Sequence, residues 1–411
     1  MNKSLYAAAV TVLLLLSAVG QAGDWPQFRG PNRDGKSTET GLLKEWPAGG
    51  PKLLWSYEGL GAGFSTVIVV DGTVYTNGVV GKGPNGRLFA FDIEGNLKWK
   101  KEYGPEWHGR TPGSHTPPTY DSGRLYHISG ECIMSCLDAK TGDIIWSIDT
   151  AKKFEGENLK WGVAEAPLID GDKVICTPGG WDATVVALDK KSAEKVVWRT
   201  RGLSELSAYC SPVVAEWAGR RLVLTMVAKS IVFVDIETGE VVLRILHTAK
   251  YDISAVAPIF KDGMLYVTNG YGYGGIMYEI APDFSGYTKK WTDKKLDCHH
   301  GGVVLLDGHI YGAGSKEWVC LELATGKIKW QAEGVGKGSV TYADGMLYCY
   351  GEKKGTLALV EATPAGYKEH GSFDVPMGTA QHWAHPVISD GRLYIRHGNA
   401  LMAYDINAEQ N

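Results

Sequence analysis

Short runs of alternating apolar and polar residues, each stopped by a turn, fill this chain from Pro51 onward. The clearest run is His385-Pro-Val-Ile-Ser-Asp-Gly-Arg-Leu-Tyr394, where Asp-Gly separates two apolar stretches. Glycine tolerates the positive φ of a two-residue turn, so this pattern predicts a β-hairpin. Copies stand at 70–75, 120–126, 167–175, 212–224, 261–266, 306–311 and 343–348. A second pattern, Cys136-Leu-Asp-Ala-Lys-Thr-Gly-Asp-Ile-Ile-Trp146, follows each hairpin. Its acidic position is occupied by Asp92, Asp138, Asp189, Asp235, Glu279, Glu322, Glu361 and Asp405. The spacing is about 45 residues, the length of a four-stranded propeller blade. Two independent signals, each present eight times, predict an all-β chain: an eight-bladed β-propeller of four-stranded antiparallel blades.

The last unit ends at Asp405-Ile406, with no chain left for an outermost strand. Pro51-Lys-Leu-Leu-Trp55-Ser-Tyr57 resembles the outermost strand Ile144-Ile-Trp-Ser-Ile-Asp149 and is expected to complete the last blade, closing the ring. The predicted organisation is a signal peptide over 1–22, an irregular strap over 23–50 and a single propeller over 51–411. The signal reading rests on Lys3, the almost uncharged run from Ser4 to Gly23, and the small residues Gly20 and Ala22 at a cleavage position. It implies a periplasmic or secreted protein without membrane insertion. No cysteine lies at the cut, so no lipid attachment is expected.

Charge narrows the partners. Lys and Arg number 42 against 46 acidic residues, for a net charge of −4, and no basic face stands out. Nucleic acid is therefore not an expected partner. The seven cysteines do not suggest a disulfide framework. Cys136 and Cys320 take a repeat slot held by Ala90 and Ala187 elsewhere, and Cys176 and Cys349 share another. Cys132 and Cys136 on one strand would lie ~13 Å apart, too far to bridge. Cys210 and Cys298 remain near blade starts, and buried free thiols are expected throughout.

Of 14 tryptophans, Trp55, Trp99, Trp146, Trp198, Trp291 and Trp330 occupy one repeat slot. A tryptophan there can lock each blade to the next, with its indole N–H reaching a backbone carbonyl. The element resembles the tryptophan-docking motif of the PQQ-like (pyrroloquinoline-quinone-binding-like) β-propeller repeat proteins. That family includes eight-bladed quinoprotein alcohol dehydrogenases and the outer-membrane assembly lipoprotein. An exported branch is closer still, through Trp25-Pro-Gln-Phe-Arg-Gly-Pro-Asn-Arg-Asp-Gly35, Gly41-Leu-Leu-Lys-Glu-Trp46, Asp172-Lys-Val-Ile-Cys-Thr-Pro-Gly-Gly180, His299-His-Gly-Gly302 and Tyr342-Ala-Asp-Gly-Met-Leu-Tyr348.

The resemblance implies a possible cofactor, pyrroloquinoline quinone with Ca²⁺. The dehydrogenases hold the quinone on the axis between a tryptophan floor and a disulfide of adjacent cysteines, with carboxylates on Ca²⁺. This chain has no Cys-Cys pair and no matching Asp/Glu/Asn set. Its cofactor is left unknown. The reading favoured is a binding or interaction protein that takes a small molecule, glycan or protein at the channel rim. A quinoprotein-type dehydrogenase and an envelope assembly scaffold are the alternatives.

Function should sit where the repeat stops repeating. Three residues before the proline slot that opens each blade stand Phe64, His115, Ala164, Tyr209, Ala255, His300, Lys337 and Trp383. Four before it stand Gly63, Ser114, Val163, Ala208, Ser254, His299, Gly336 and His382. With their neighbours, these windows give a candidate rim site of Arg110, His115, Trp161, Glu165, Tyr209, His299, His300, Lys337, His382, Trp383 and His385. Trp383 or Trp161 would floor a planar or sugar ligand, and the polar groups would fix it. No metal site is assigned. Cys298, His299 and His300 are consecutive, so on an extended segment their side chains would point alternately apart.

Overall fold

A computed structural model describes residues 23–408; the signal segment expected over 1–22 lies outside the described residues. Eight four-stranded antiparallel sheets stand around one axis. They occupy residues 68–105, 119–149, 168–199, 213–246, 259–293, 303–332, 338–374 and 387–405, and are called blades one to eight below. The early strand Leu53–Glu58 pairs with Ala400–Asp405, so blade eight takes its outermost strand from the N-terminal side and the ring closes.

The Asp-Gly hairpins take the expected geometry. At Asp71-Gly72, Asp262-Gly263, Asp307-Gly308, Asp344-Gly345 and Asp390-Gly391 both residues have positive φ, the signature of a type I′ turn that follows strand twist. Six indoles dock on the neighbouring blade through the same contact. The indole N–H donates to a backbone carbonyl from Trp55 to Ile93 at 2.8 Å, Trp99 to Ala139 at 3.3 Å and Trp146 to Lys190 at 3.1 Å. Trp198 reaches Ile236 at 2.9 Å, Trp291 reaches Leu323 at 3.1 Å and Trp330 reaches Thr363 at 2.7 Å. Strand register explains the small residues opposite: Trp146 faces Cys136, Trp198 faces Ala187 and Trp330 faces Cys320. Blade four carries Leu243 in that slot, and in blade seven the strand register shifts between Ala358 and Val360, so no indole docks there in either. All seven cysteines are buried and free.

Residues 23–50 cross the propeller at the far ends of the innermost strands, bridging Val69 through Trp25, Tyr342 through Lys36 and Asn407 through Leu42. Two arginines leave this strap and enter the axis. Arg33, 5% exposed, donates to the carbonyls of Ala166 and Pro212 at 3.0 Å each and to that of Pro167. Arg29, also 5% exposed, donates to the Val303 carbonyl at 2.6 Å. Together they satisfy innermost-strand carbonyls that closing the ring would leave without donors. Burial lowers both pKa values, Arg33 to about 10, so Arg33 stays charged at neutral pH. These contacts reach blades three, four and six, so the two arginines lie across the axis part-way along.

Candidate functional site

Above the arginine plug lies an open cavity of about 260 Å³. Seven of the eight residues three places before the proline slot line it: Phe64, His115, Ala164, Tyr209, Ala255, His300 and Trp383. One repeat position thus forms an inner ring, and each blade fills it differently. Phe28 of the strap meets His385 edge-on at 5.1 Å, and both line the floor.

Of the eleven residues expected at the rim, His115, Trp161, Tyr209, His299, His300, Trp383 and His385 line this cavity. The other four do not. Lys337 stands behind His299, with its ammonium 3.1 Å from His299 Nδ1 and 2.7 Å from Glu352. His382 turns aside to the Tyr350 hydroxyl at 2.6 Å and stacks on His397 at 3.6 Å. Glu165 is buried between blades two and three, where it accepts from the Thr177 N–H at 2.9 Å. Burial pushes its carboxyl up to about 8, against the Thr177 N–H and the Arg33 charge. Arg110 is exposed beside the lining residue Thr111.

The expectation that His299 and His300 diverge is corrected. Both line the cavity, with ring centroids 4.9 Å apart, because the chain bends there and becomes a strand only at Val303. The glycines that follow have their own reasons. Gly302 has φ 74°, and a side chain on it would strike the Arg29 guanidinium; one on Gly301 would strike the Gly338 carbonyl.

Hydrogen-bond partners fix the protonation of two floor and wall rings. Lys337 can only donate, so His299 Nδ1 accepts and its proton sits on Nε2. His385 Nε2 donates to the His300 carbonyl at 3.0 Å, leaving Nδ1 to accept from Arg29 at 3.3 Å. Burial, with Arg29 beside it, drives the His385 pKa down to about 3. Burial, then His300 and Lys337, takes His299 to about 3. Burial lowers His115 as well, and its Nε2 donates to the Thr111 carbonyl at 3.1 Å. For Glu352, burial works against ionisation, but His300 at 3.4 Å and Lys337 outweigh it and hold the carboxyl well below the usual range.

Residue identity at the mouth is strongly aromatic. Ring centroids follow one another from His115 to Phe64 (5.8 Å), Trp383 (4.7 Å), His300 (5.2 Å) and His299 (4.9 Å). The arc continues through Tyr271 (4.6 Å) and Tyr251 (5.6 Å) to Trp161 (6.1 Å). Three tyrosines here, Tyr209, Tyr251 and Tyr271, have left-handed φ of 68°, 61° and 65°. A bulky residue in that region costs about 1–2 kcal/mol and rarely occurs without a role. Sequence reading missed Phe28, Tyr251, Tyr271 and Glu352. Phe28 lies within Trp25-Pro-Gln-Phe-Arg-Gly, and that segment was the available signal; the others lie outside the aligned slots.

Pyrroloquinoline quinone, which the fold family implies, does not suit this lining. It is a planar tricarboxylate that binds alongside Ca²⁺, yet no carboxylate, lysine or arginine lines the cavity. Glu352, behind the two histidines, is engaged by Lys337 and His300, and Arg29 is spent on Val303 and His385. Among the described residues no group of three or more His, Cys, Asp or Glu is placed to hold a metal.

A protein-family model described as "Outer membrane protein assembly factor BamB" matches residues 84–332, more than half of the chain. The quinohemoprotein alcohol dehydrogenase ADH-IIG of Pseudomonas putida is 26% identical over 198 residues, 45% of this chain and 26% of that protein. The chain therefore spans about a quarter of the length of this curated relative. Among solved structures, the quinohemoprotein alcohol dehydrogenase of Comamonas testosteroni superposes with a TM-score of 0.68 at 14% identity, over 94% of this chain and 80% of that one. BamB from Moraxella catarrhalis superposes with a TM-score of 0.61 at 14% identity, over 87% of this chain and all of that one. At such identities these structures establish the shared propeller fold and nothing finer.

Proposed function

This chain belongs to the outer membrane protein assembly factor BamB family of PQQ-like β-propellers, and from that premise we propose that it is an exported binding protein whose ligand site is the axial cavity. The ligand is a small ring compound without charge on the part that enters, such as a sugar ring. One observation carries this reading: a single repeat position supplies seven cavity-lining residues, mostly aromatic or histidine, while the same blades are regular elsewhere.

The chemistry follows from the lining. Trp383, Phe64 and Trp161 offer flat apolar faces of the kind on which the C–H face of a sugar packs. The imidazoles of His115, His299 and His385, whose neutral form burial favours, and the hydroxyls of Thr66, Thr111 and Thr116 offer donors and acceptors without the desolvation cost of a charge. The plug of Phe28, Arg29 and Arg33 makes the site blind, so a ligand enters and leaves by the same mouth. No pair of groups in the cavity is arranged as nucleophile and base, which favours binding over catalysis.

Thermal-shift and native mass spectrometry with mono- and disaccharides, neutral heterocycles, and pyrroloquinoline quinone with Ca²⁺ test the proposal. A saccharide or neutral ring compound that raises Tm in the native protein, and not in Trp383→Ala, supports it. Stoichiometric quinone binding with dye-linked alcohol oxidation would overturn it in favour of a dehydrogenase. A tight complex with another envelope protein, indifferent to Trp383→Ala and without any small ligand, would overturn it in favour of a scaffold.

A further inference from the structure

The aromatic arc does not stop at the cavity. Tyr251 meets Trp161 at 6.1 Å and Tyr271 at 5.6 Å, yet it lies outside the lining and is 55% exposed. Its left-handed backbone, like that of Tyr271, holds a large ring on the surface where a relaxed backbone would not. Two lysines stand over this platform. Lys160 Nζ lies 4.8 Å from the Trp161 ring and 5.6 Å from that of Tyr251. Lys250 Nζ lies 5.3 Å from Tyr251 and 5.8 Å from Tyr271.

Among the described residues, neither lysine has an ion-pair partner. The carboxylate adjoining Tyr251 in sequence, Asp252, is taken by Lys229 at 2.5 Å, and Glu352 by Lys337 at 2.7 Å. The cavity lining holds no lysine, arginine or carboxylate, whereas the shelf outside it is aromatic and carries two uncompensated cations. With Arg29 and Arg33 lying across the axis beneath the cavity, a chain entering the mouth would present its end.

We infer that the mouth reads the end of an acidic oligosaccharide: the terminal ring sits in the cavity, and the next unit lies on Trp161 and Tyr251 with its anion against Lys160 and Lys250. This rests on the ligand-binding reading above and adds to it the length and charge of the ligand. The anion is a carboxylate or a sulfate; both fit a pair of ammonium groups equally. A peptide end is disfavoured, since the cavity offers no paired cation for a terminal carboxylate and no carboxylate for a terminal amine.

The test uses the full mature chain on an array of neutral, carboxylated and sulfated oligosaccharides, followed by calorimetry on the best binder. The expected result is preference for acidic glycans. Affinity should rise at least tenfold from the terminal sugar alone to the disaccharide, and the gain should shrink with added salt. In the double variant Lys160→Ala/Lys250→Ala, both surface changes, that tenfold gain should vanish while affinity for the single sugar stays put. Which acidic class binds identifies the anion.

Equal binding of neutral and acidic glycans, or a double variant indistinguishable from the native protein, would overturn the inference and leave the cavity reading intact. Binding to no glycan would overturn it too, and the small-molecule screen then judges the cavity separately. The milder Trp383→Phe, checked for folding by circular dichroism, guards against loss through misfolding of Trp383→Ala. Glycan binding untouched by either change at Trp383 would sink both readings together.

Discussion

Two rings of aromatic residues encircle this molecule, and they obey opposite rules. At the blade edges, six indoles occupy one slot, and each donates its N–H to a backbone carbonyl of the neighbouring blade. At the mouth, one slot again supplies the ring, but its occupants are phenylalanine, histidine, alanine, tyrosine and tryptophan. Uniformity in the first ring follows from a uniform task, since each of these indoles caps a carbonyl of the next blade. Diversity in the second has no such structural demand behind it. On the proposed reading, the mixed ring answers to an asymmetric ligand inside it.

The sharpest way to break this comparison is to remove one member of each ring. Trp198→Ala should cost about 3–5 kcal/mol in urea unfolding, because a buried indole and its hydrogen bond to Ile236 are both lost. Ligand affinity should not move. A loss of affinity without a loss of stability would reverse the roles of the rings.

Acid separates the rings next. His299 and His385 ionise near 3 in the fold but near 6.5 when exposed, so between these values the unfolded chain binds more protons. The stability they carry is whole above about pH 6.5 and declines as pH falls toward 3, by about 1.4 kcal/mol per pH unit for each ring. Denaturation from pH 7 to pH 4 should show this slope, and His299→Gln/His385→Gln should flatten it. An unchanged slope in that variant contradicts the assignment.

Trp383→Ala should reverse the pattern of Trp198→Ala: at least a tenfold loss of ligand affinity by calorimetry, and a stability change of about 1 kcal/mol or less. The smallest effect belongs to Gly326→Ala. Gly326 has φ 71°, and a methyl there meets the Trp291 indole, so stability should fall by about 1–2 kcal/mol with no effect on binding. Stabilisation by this change would show that docking tolerates displacement of its indole.

Much of the architecture was legible because a repeat prints its own alignment. The Asp-Gly turns and the acid-to-tryptophan spacing located eight blades, and the missing outer strand after Asp405 pointed to Leu53–Glu58 as its replacement. The same alignment picked out the inner ring, since residues three places before the proline slot share one depth along the axis. It failed where local chain path departs from the repeat. His299 and His300 were expected to diverge as strand residues, but the bend before Val303 puts both rings on one side. Glu165 and His382 sit in the right windows, yet each finds a polar partner off the axis, Thr177 and Tyr350. Phe28 and Arg29 were invisible as site residues because nothing in a strap of 23–50 tells how deeply it enters the channel. Tyr251 and Tyr271 owe their places to left-handed backbone, which composition does not announce.

The central claim is that the mixed ring binds and the uniform ring holds the blades together. Indole ¹⁵N-labelled protein, titrated with a mixture of neutral and uronate-containing di- and trisaccharides, tests it within one NMR spectrum. The N–H signals of Trp161 and Trp383 should shift or broaden, while those of Trp55, Trp99, Trp146, Trp198, Trp291 and Trp330 stay in place. Movement of the six docked indoles with Trp161 and Trp383 unmoved would contradict it.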